Sequence, residues 1–343
     1  MAKSKKGKVT AGGWIVGAAG VGLGAGIALE RLLIGRTRIK KDPYSEERYG
    51  RISPDRKYQV KCSDGASISV YESGPETGPA LVFLHGLALD HSIWHHQLAE
   101  LSSDTRCIYF DARKHGRSKG GGDPTDVTRL ANDLNLVLEK ADADEVILVG
   151  HSMGGMTVLE YCRMHENDLK ERVKGIVLIN TTYTDALKTL MAAEIIGPID
   201  RRLGWLFGIL LDNPKAHNNL KLRGDDLSYL LVRLFGFGAK SSPTQVEHVR
   251  RLLAKFPSPE LFDTIRGIRK FDMEDALESV DVPTVIIAGG DDRITTVRAS
   301  EDMADRIPNA RLTTLEDAGH ITMMERHPEV TQQIRTLLKE VTG

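Results

Sequence analysis

The sequence predicts an α/β protein built on a mostly parallel sheet, with helices on both sides and a helical cap inserted late in the chain. Short, almost wholly apolar runs alternate with amphipathic segments from residue 43 onward. Such runs are typical of parallel strands that are buried on both faces. Two regions depart from this alternation: a hydrophobic stretch at the N-terminus, and residues 182–281, where no strand-like run occurs.

Six apolar runs are predicted to be strands of this sheet, and a hairpin over residues 58–71 precedes them. Segments with helical periodicity, such as residues 125–141, separate most of the runs. The runs are ALVFLH (80–85), RCIYFD (106–111), EVILVG (145–150), KGIVLIN (174–180), PTVIIAG (283–289) and RLTTLE (311–316). Residues 43–343 are therefore expected to form one domain.

The interval 182–281 is predicted to be a cap that lies over the carboxyl edge of the sheet. Helical stretches are predicted at 185–196, 226–234 and 244–253. The first two carry many Leu, Met and Ile residues. Because a cap of this kind would face the edge where the strands end, its apolar side chains indicate an apolar substrate.

The N-terminal segment, residues 1–42, differs in composition from the remainder. Residues 9–29 carry no charge and are bracketed by lysines and arginines. About 20 uncharged residues in a helix span a hydrocarbon layer of roughly 30 Å, and glycines at GxxxG spacing let membrane helices approach closely. We predict membrane association through a single-pass or re-entrant anchor. A cleaved signal peptide, a flexible or peripheral tail and a cytoplasmic location remain open alternatives.

Composition narrows the classes of function. The formal net charge is −1, so no basic excess indicates nucleic-acid binding. Cys62, Cys107 and Cys162 are too scattered for a disulfide framework or a zinc site. The neighbours His95 and His96 are expected to point to different faces, which argues against a metal site there. No metal or organic cofactor is expected.

A serine follows the third apolar run at the position that a catalytic nucleophile needs. Gly150-His151-Ser152-Met153-Gly154 fits the pattern G-x-S-x-G and joins the run EVILVG to a predicted helix. A sharp strand-to-helix turn exposes the serine, and the helix N-terminus directs main-chain N–H groups at a reacting carbonyl. We therefore predict that Ser152 is the nucleophile.

The base and the acid that a serine nucleophile requires follow in the expected chain order. Asp291 and Asp292 come after the run PTVIIAG, and His320 comes after RLTTLE. Loops that leave parallel strands at their carboxyl ends open on one edge of the sheet, so these side chains are predicted to meet Ser152. We predict that His320 is the base and Asp292 the acid, with Asp291 as the alternative acid.

Two main-chain N–H groups are predicted to bind the oxyanion of the tetrahedral intermediate. One belongs to Met153, directly after the nucleophile. The other is expected in the turn His85-Gly86-Leu87 that follows the run ALVFLH, and we assign it to Leu87.

With these motifs in place, the sequence resembles the α/β-hydrolase superfamily over about residues 55–340. The shared motifs, in order, are His85-Gly86, Asp111-x-x-x-His115-Gly116-x-Ser118, GHSMGG over 150–155, and the late Asp292 with Gly319-His320. Lys114 stands where many relatives carry Gly, and Thr296 where many carry Pro. The resemblance implies the α/β-hydrolase fold and a Ser-Asp-His triad. A serine at position 152 excludes those relatives that use an Asp nucleophile.

This combination predicts a serine hydrolase that cleaves a carboxylic ester with a lipid-like or other apolar acyl group, through an acyl-enzyme. The same triad also serves thioester hydrolysis, other acyl transfers and carbon–carbon bond hydrolysis in this superfamily, so these alternatives remain open. A non-catalytic binding protein tethered to a membrane is the remaining alternative, and an intact triad argues against it.

Overall fold

A computed structural model describes residues 42–185 and 225–343 of the chain. The strands of these residues form one eight-stranded sheet. They are β1 (Arg56–Lys61), β2 (Ser67–Ser73), β3 (Ala80–Leu84), β4 (Arg106–Asp111), β5 (Val146–His151), β6 (Val173–Ile179), β7 (Thr284–Gly289) and β8 (Ala310–Leu315).

The sheet is mostly parallel, as predicted. Its strand order is β1-β2-β4-β3-β5-β6-β7-β8. The predicted hairpin is β1 and β2, which pair antiparallel with each other, and β2 also pairs antiparallel with β4. All other neighbours are parallel. The carboxyl ends of six strands, β3 to β8, therefore meet at one edge of the sheet.

The helices of the described residues lie between and after these strands. They are α1 (His95–Leu101), α2 (Val127–Ala141), α3 (Met153–Met164), α4 (Glu166–Glu171), α5 (Asp225–Gly236), α6 (Pro243–Lys255), α7 (Ser258–Ile268), α8 (Val297–Arg306), α9 (Thr322–Glu325) and α10 (His327–Thr342). Polar caps set several of their starts. The side chain of Asp126 accepts from the third N–H of α2, and Ser242 caps α6 just before a proline.

Two apolar layers cover the sheet, one on each face. Leu134 and Val137 of α2 and Leu159 of α3 are fully buried in one layer. Leu98 of α1 and Leu337 of α10 are buried in the other. Burying one such side chain contributes about 1.5–3 kcal/mol. Because both faces are covered, the central strands are apolar along their whole length, which is the pattern visible in the sequence.

Between β6 and β7, the described residues form α5, α6 and α7 and no strand of the sheet. The predicted helical stretches 226–234 and 244–253 lie within α5 and α6. The predicted stretch 185–196, beyond its first residue, and the predicted anchor over 9–29 lie outside the described residues. Within the described part of the chain, every helix is too short or too polar to cross a membrane.

Candidate active site

The predicted nucleophile lies on a sharp turn between β5 and α3. Ser152 has φ of 52° and ψ of −118°, a conformation that is rare for a residue with a side chain. Its N–H donates to the Ile179 carbonyl at 3.0 Å, and its carbonyl accepts from the Thr181 hydroxyl at 2.7 Å. A β-carbon at Gly154 would collide with the carbonyl of Leu84. Bonds to the neighbouring strand and a close backbone approach therefore hold the strained serine in place.

The predicted acid and base form a buried pair. Asp292 Oδ2 and His320 Nδ1 are 2.9 Å apart, and the carboxylate of Asp292 has no exposed surface. Burial disfavours its charged form, yet His320, the Thr295 hydroxyl and the Ile294 N–H together hold the pKa of Asp292 below its usual value. An ionised Asp292 requires the proton on Nδ1 of His320. The Nε2 atom is then free to accept a proton.

Asp291, the alternative acid, has a different environment. Its side chain is exposed and accepts from the Ala239 N–H at 3.3 Å, and its own N–H donates to the Ala318 carbonyl at 2.8 Å. Asp292 instead receives hydrogen bonds at Oδ1 from two N–H groups of its own loop, at 2.7 and 3.0 Å. The structure thus pairs Asp292, and not Asp291, with His320.

Contacts between neighbouring residues bring the serine turn and the histidine loop together. His151, which precedes Ser152, donates from Nε2 to the His320 carbonyl at 2.9 Å. The two imidazole rings lie 4.8 Å apart between centroids. His151 is completely buried, and burial together with the neighbouring ring of His320 lowers its pKa well below the usual value. A neutral His151 therefore serves as a donor that anchors the loop of His320.

The turn that carries the predicted oxyanion donor Leu87 lies against the nucleophile. A β-carbon at Gly86 would lie 2.8 Å from Nδ1 of His151 and 3.2 Å from the β-carbon of Ser152. Met153, the other predicted donor residue, is the first residue of α3. Both predicted donors therefore belong to main chain that borders Ser152.

Two buried histidines brace this turn. His85 donates from Nδ1 to the Gly86 carbonyl at 2.8 Å and accepts at Nε2 from the Ala112 N–H at 2.9 Å. His115 accepts at Nε2 from the Ala88 N–H at 3.0 Å. Burial lowers the pKa of His85, and it lowers that of His115 to about 3. Both rings are therefore neutral acceptors of main-chain N–H groups.

The segment from Asp111 to Ser118, another of the shared motifs, supports the loops next to the site. Asp111 is fully buried and accepts from the N–H and Nδ1 of His91 and from the N–H of Arg117. The Ser118 hydroxyl donates to the Asp111 carbonyl at 2.5 Å and accepts from the Ser69 N–H at 2.8 Å. These contacts fix the chain after β4.

The two departures from the family pattern have local explanations. Lys114 has φ of 66°, a conformation that glycine adopts without strain, and its ammonium group pairs with Asp263 of α7 at 2.7 Å. The ion pair links α7 to the loop after β4. Thr296 is the N-cap of α8, where its side-chain oxygen accepts from the Ala299 N–H. A threonine cap thus occupies the position where relatives carry proline.

Sequence reasoning missed Asn180 and Thr295, which also contact Asp292, the predicted acid. Asn180 follows β6, and its Nδ2 donates to Asp292 Oδ2 at 2.7 Å and to the Gly319 carbonyl at 3.3 Å. The Thr295 hydroxyl donates to the same carboxylate oxygen at 2.7 Å. A polar residue directly after a buried strand, at the same edge as the triad, was the available signal for Asn180.

The expectation that His95 and His96 point to different faces is wrong. Their rings are in edge-to-face contact with centroids 5.3 Å apart, because both pack against Tyr49. Glu47 hydrogen-bonds to His95 at 3.0 Å, and Glu47, His95 and His96 offer donor atoms within 4.8 Å of one another. No other described residues form such a potential metal-binding group. It belongs to the packing of residues 42–52 against α1 and includes no triad residue.

The sheet is mostly parallel, and a strained serine lies at the end of one of its strands. The loop of a buried histidine–aspartate pair contacts the turn of this serine. Together these features are typical of a hydrolase. The model of the family described as alpha/beta hydrolase fold matches residues 79–327. The chain belongs to this family and is an α/β-hydrolase enzyme.

Named relatives agree with this assignment. The chain is 27% identical to 3-oxoadipate enol-lactonase 1 of Acinetobacter baylyi over 283 residues, which cover 81% of this chain and 95% of that protein. It is 29% identical to a bifunctional esterase/perhydrolase of Acinetobacter calcoaceticus over 266 residues, covering 76% and 92%. A thermophilic esterase structure from Thermogutta terrifontis superimposes with a TM-score of 0.67 at 22% identity, covering 84% and 100%, which shows the shared fold.

Proposed function

We propose that this enzyme hydrolyses a carboxylic ester of an apolar acyl group through an acyl-enzyme on Ser152. The observation that carries the proposal is the buried pair of Asp292 and His320, in which the loop of His320 contacts the serine turn. A serine hydroxyl becomes an effective nucleophile only when an oriented base takes its proton.

The proposed reaction has two halves. Ser152 Oγ forms a bond to the carbonyl carbon while Nε2 of His320 takes the hydroxyl proton, and Asp292 stabilises the resulting imidazolium. The N–H groups of Leu87 and Met153 bind the oxyanion. The carbon–oxygen bond to the alcohol then breaks, and the alcohol leaves with the proton from His320. Water, deprotonated by His320, then attacks the acyl carbon. The bond from that carbon to Ser152 Oγ breaks, Oγ takes the proton back from His320, and the carboxylic acid leaves.

Apolar contacts around the predicted oxyanion donor support an apolar acyl group. Leu87 is partly exposed and packs against two apolar clusters. One cluster is formed mainly by residues of the cap, and the other mainly by residues of the body, the part of the chain that contains the sheet. Its neighbours in these two apolar clusters are Leu253, Phe256, Leu261, Ile265 and Ile268 of the cap segment, and Ala88, Ala112, Leu130 and Met153 of the body. A substrate that enters between the cap and Ser152 therefore meets hydrocarbon surface. The names of the relatives, an esterase and a lactonase, agree with an open-chain or cyclic ester.

A panel of nitrophenyl esters from acetyl to dodecanoyl tests the substrate class. We expect kcat/KM to rise with acyl length, because each added methylene gains burial against the cap. Ser152→Ala is expected to lower kcat by roughly 10⁶, as in another serine hydrolase, whereas the exposed control Ser103→Ala should match wild type. Faster turnover of a thioester or a vinylogous diketone than of every ester would favour the alternative chemistries.

We also propose that residues 9–29 hold the protein at a membrane. Their lack of charge over a membrane-spanning length, with basic residues on both flanks, supports this. Val16→Lys combined with Leu23→Lys should move the full-length protein from the membrane pellet to the supernatant, since each central charge costs about 2.5–3.5 kcal/mol of insertion free energy. Ser4→Lys with Thr37→Lys adds the same charge outside the segment and should not. A wild-type protein in the supernatant would contradict the proposal.

A further inference from the structure

Glu325, at the end of the short helix α9, joins two loops through main-chain hydrogen bonds. Its Oε1 accepts from the Gly319 N–H at 2.8 Å, and its Oε2 accepts from the Gly238 N–H at 2.8 Å. Gly319 directly precedes His320. Gly238 lies in residues 236–239, which lead from helix α5 towards helix α6 within the predicted cap and are termed the cap-exit loop here. One carboxylate therefore ties the cap-exit loop to the loop of the predicted base.

The cap-exit loop is itself held from two sides, so it is a fixed point of attachment. The Ile321 N–H donates to the Gly236 carbonyl at 2.9 Å. Arg233 donates to the carbonyls of Phe237 and Ala239 at 3.1 and 3.0 Å. The residue before His320 is thus hydrogen-bonded to Glu325, and the residue after it is hydrogen-bonded to the cap-exit loop.

We propose that Glu325 is a positioning residue for His320: it fixes the preceding peptide unit to the cap-exit loop and so keeps the imidazole aligned with Ser152. The inference rests on the proposed function, because it assigns His320 the role of base. Glu325 takes no part in the proton transfers described above. It acts on the reaction only through the loop of His320.

The charge on this carboxyl changes near neutral pH. Removal from solvent raises the pKa of Glu325 to about 7, although its two N–H donors and Arg233 lower it and Asp292 raises it. Among the described residues, the charged groups that act on it across the fold are Arg233 on α5 and Asp292 after β7, and Arg326 follows it in the chain. A protonated carboxyl group carries a hydrogen on one of its oxygens, and that oxygen is a poorer acceptor for a main-chain N–H. One of the two main-chain bonds is therefore weakened below pH 7.

Glu325→Gln tests this role, with Glu329→Gln as the matched control. Gln mimics the protonated carboxyl and can accept from only one of the two N–H groups. Glu329 lies at the surface of α10, pairs with Arg326 and has no bond to the loop. At pH 8 we expect Glu325→Gln to lower kcat on a nitrophenyl ester by about ten- to a hundredfold, the scale of a misplaced catalytic group. KM should stay within about twofold, and Glu329→Gln should match wild type.

The pH profile of kcat separates positioning from a general loss of structure. The wild-type rate should fall with decreasing pH more steeply than a single ionisation allows, because protonation of Glu325 and of His320 both lower it. Glu325→Gln should follow a single ionisation. If Glu325→Gln does not fold, the acid side of the wild-type pH profile of kcat tests the proposal by itself. A profile that fits a single ionisation overturns the proposal.

Failure of this inference is distinguishable from failure of the proposed function. Equal kcat and equal pH profiles in wild type and Glu325→Gln, with Ser152→Ala inactive, overturn only the positioning role. A wild type that turns over no ester, or a Ser152→Ala variant that retains full activity, contradicts the proposed function itself.

Discussion

Two histidine–aspartate pairs with buried carboxylates lie at the carboxyl edge of the sheet, and they differ in what surrounds them. His320 Nδ1 lies 2.9 Å from Asp292 Oδ2, and His91 Nδ1 lies 2.8 Å from Asp111 Oδ1. Both carboxylates are fully buried. The two pairs are nearly equivalent in the distance between their atoms and in the burial of the carboxylate, although the His91 side chain is 20% exposed and that of His320 only 7%. This geometry does not by itself mark a catalytic site.

The neighbours of each pair distinguish them. Asp111 also accepts from the Arg117 N–H and the Tyr71 hydroxyl, and the His91 ring packs on Tyr71, so this pair joins segments of scaffold. The loop of His320 instead contacts His151, next to the strained serine. The Asp292–His320 pair has a proposed catalytic role because its histidine loop contacts the turn that carries Ser152, the predicted nucleophile.

The largest difference between the pairs is expected in the chemical step. Asp292→Asn should lower kcat by about 10⁴, because an amide no longer orients the imidazole or stabilises its charged form. Steady-state kinetics on a nitrophenyl ester, with circular dichroism as the control for folding, measure this loss. A loss below tenfold in a folded variant would remove the distinction between the two pairs.

Asp111→Asn should act mainly on stability. His91 loses its charged partner and the N–H of Arg117 loses a charged acceptor, and breaking a buried pair costs about 3–5 kcal/mol of unfolding free energy. Urea denaturation measures this change. The folded variant should retain far more activity than Asp292→Asn. An unchanged stability together with a 10⁴-fold loss of kcat would reverse the two assignments.

The His91–Asp111 pair should also make the stability of the protein depend on pH. Burial opposes a charge on His91, but Asp111 raises the pKa of His91, and His91 helps to lower the pKa of Asp111 to about 2. A raised histidine pKa gives stability that is fully present below about pH 6.5 and is lost as pH rises through the folded value. The lowered aspartate pKa gives stability that is lost only as pH falls below about 4.

His91→Gln should therefore destabilise the protein more at pH 5.5 than at pH 8.5, by about 1.5–3 kcal/mol, the scale of one charged hydrogen bond. Denaturant titrations of wild type and variant at the two pH values measure the difference. A cost of the same size at both values would show that the charge of His91 does not change between them.

The smallest effect is expected at Lys114, in the segment that Asp111 supports. Lys114→Gly removes the strain of a positive φ, worth about 1–2 kcal/mol, and loses chain stiffness and an ion pair to Asp263 worth about 0–1 kcal/mol. These changes offset each other, so the free energy of unfolding should shift by less than about 1 kcal/mol. A larger loss in a thermal melt would assign the Lys114–Asp263 pair a greater part in holding the cap.

Most of the sheet could be predicted because its strands are buried on both faces. The apolar run at 106–111 coincides with β4, and the run at 145–150 differs from β5 by one residue at each end. The boundaries differ because hydrogen bonding between strands, and not polarity, sets where pairing stops. The order of strands, with β4 on the far side of β3, follows from pairing between distant segments that no local pattern encodes.

The site was predictable to the extent that its residues lie in motifs with fixed spacing. Ser152, Asp292 and His320 each follow a strand, so their common edge could be inferred. Asn180 directly follows β6, so its edge of the sheet could be inferred but its contact with Asp292 could not, and Glu325 follows no strand. Their roles depend on which loops meet in space, and the sequence alone does not determine that.

Labelling with a fluorophosphonate, followed by intact mass measurement, tests the central claim most directly. We predict one adduct on wild type, none on Ser152→Ala, slow labelling of Asp292→Asn, and labelling of folded Asp111→Asn at nearly the wild-type rate. A folded wild type that remains unmodified, or equal modification of Ser152→Ala, would contradict the account.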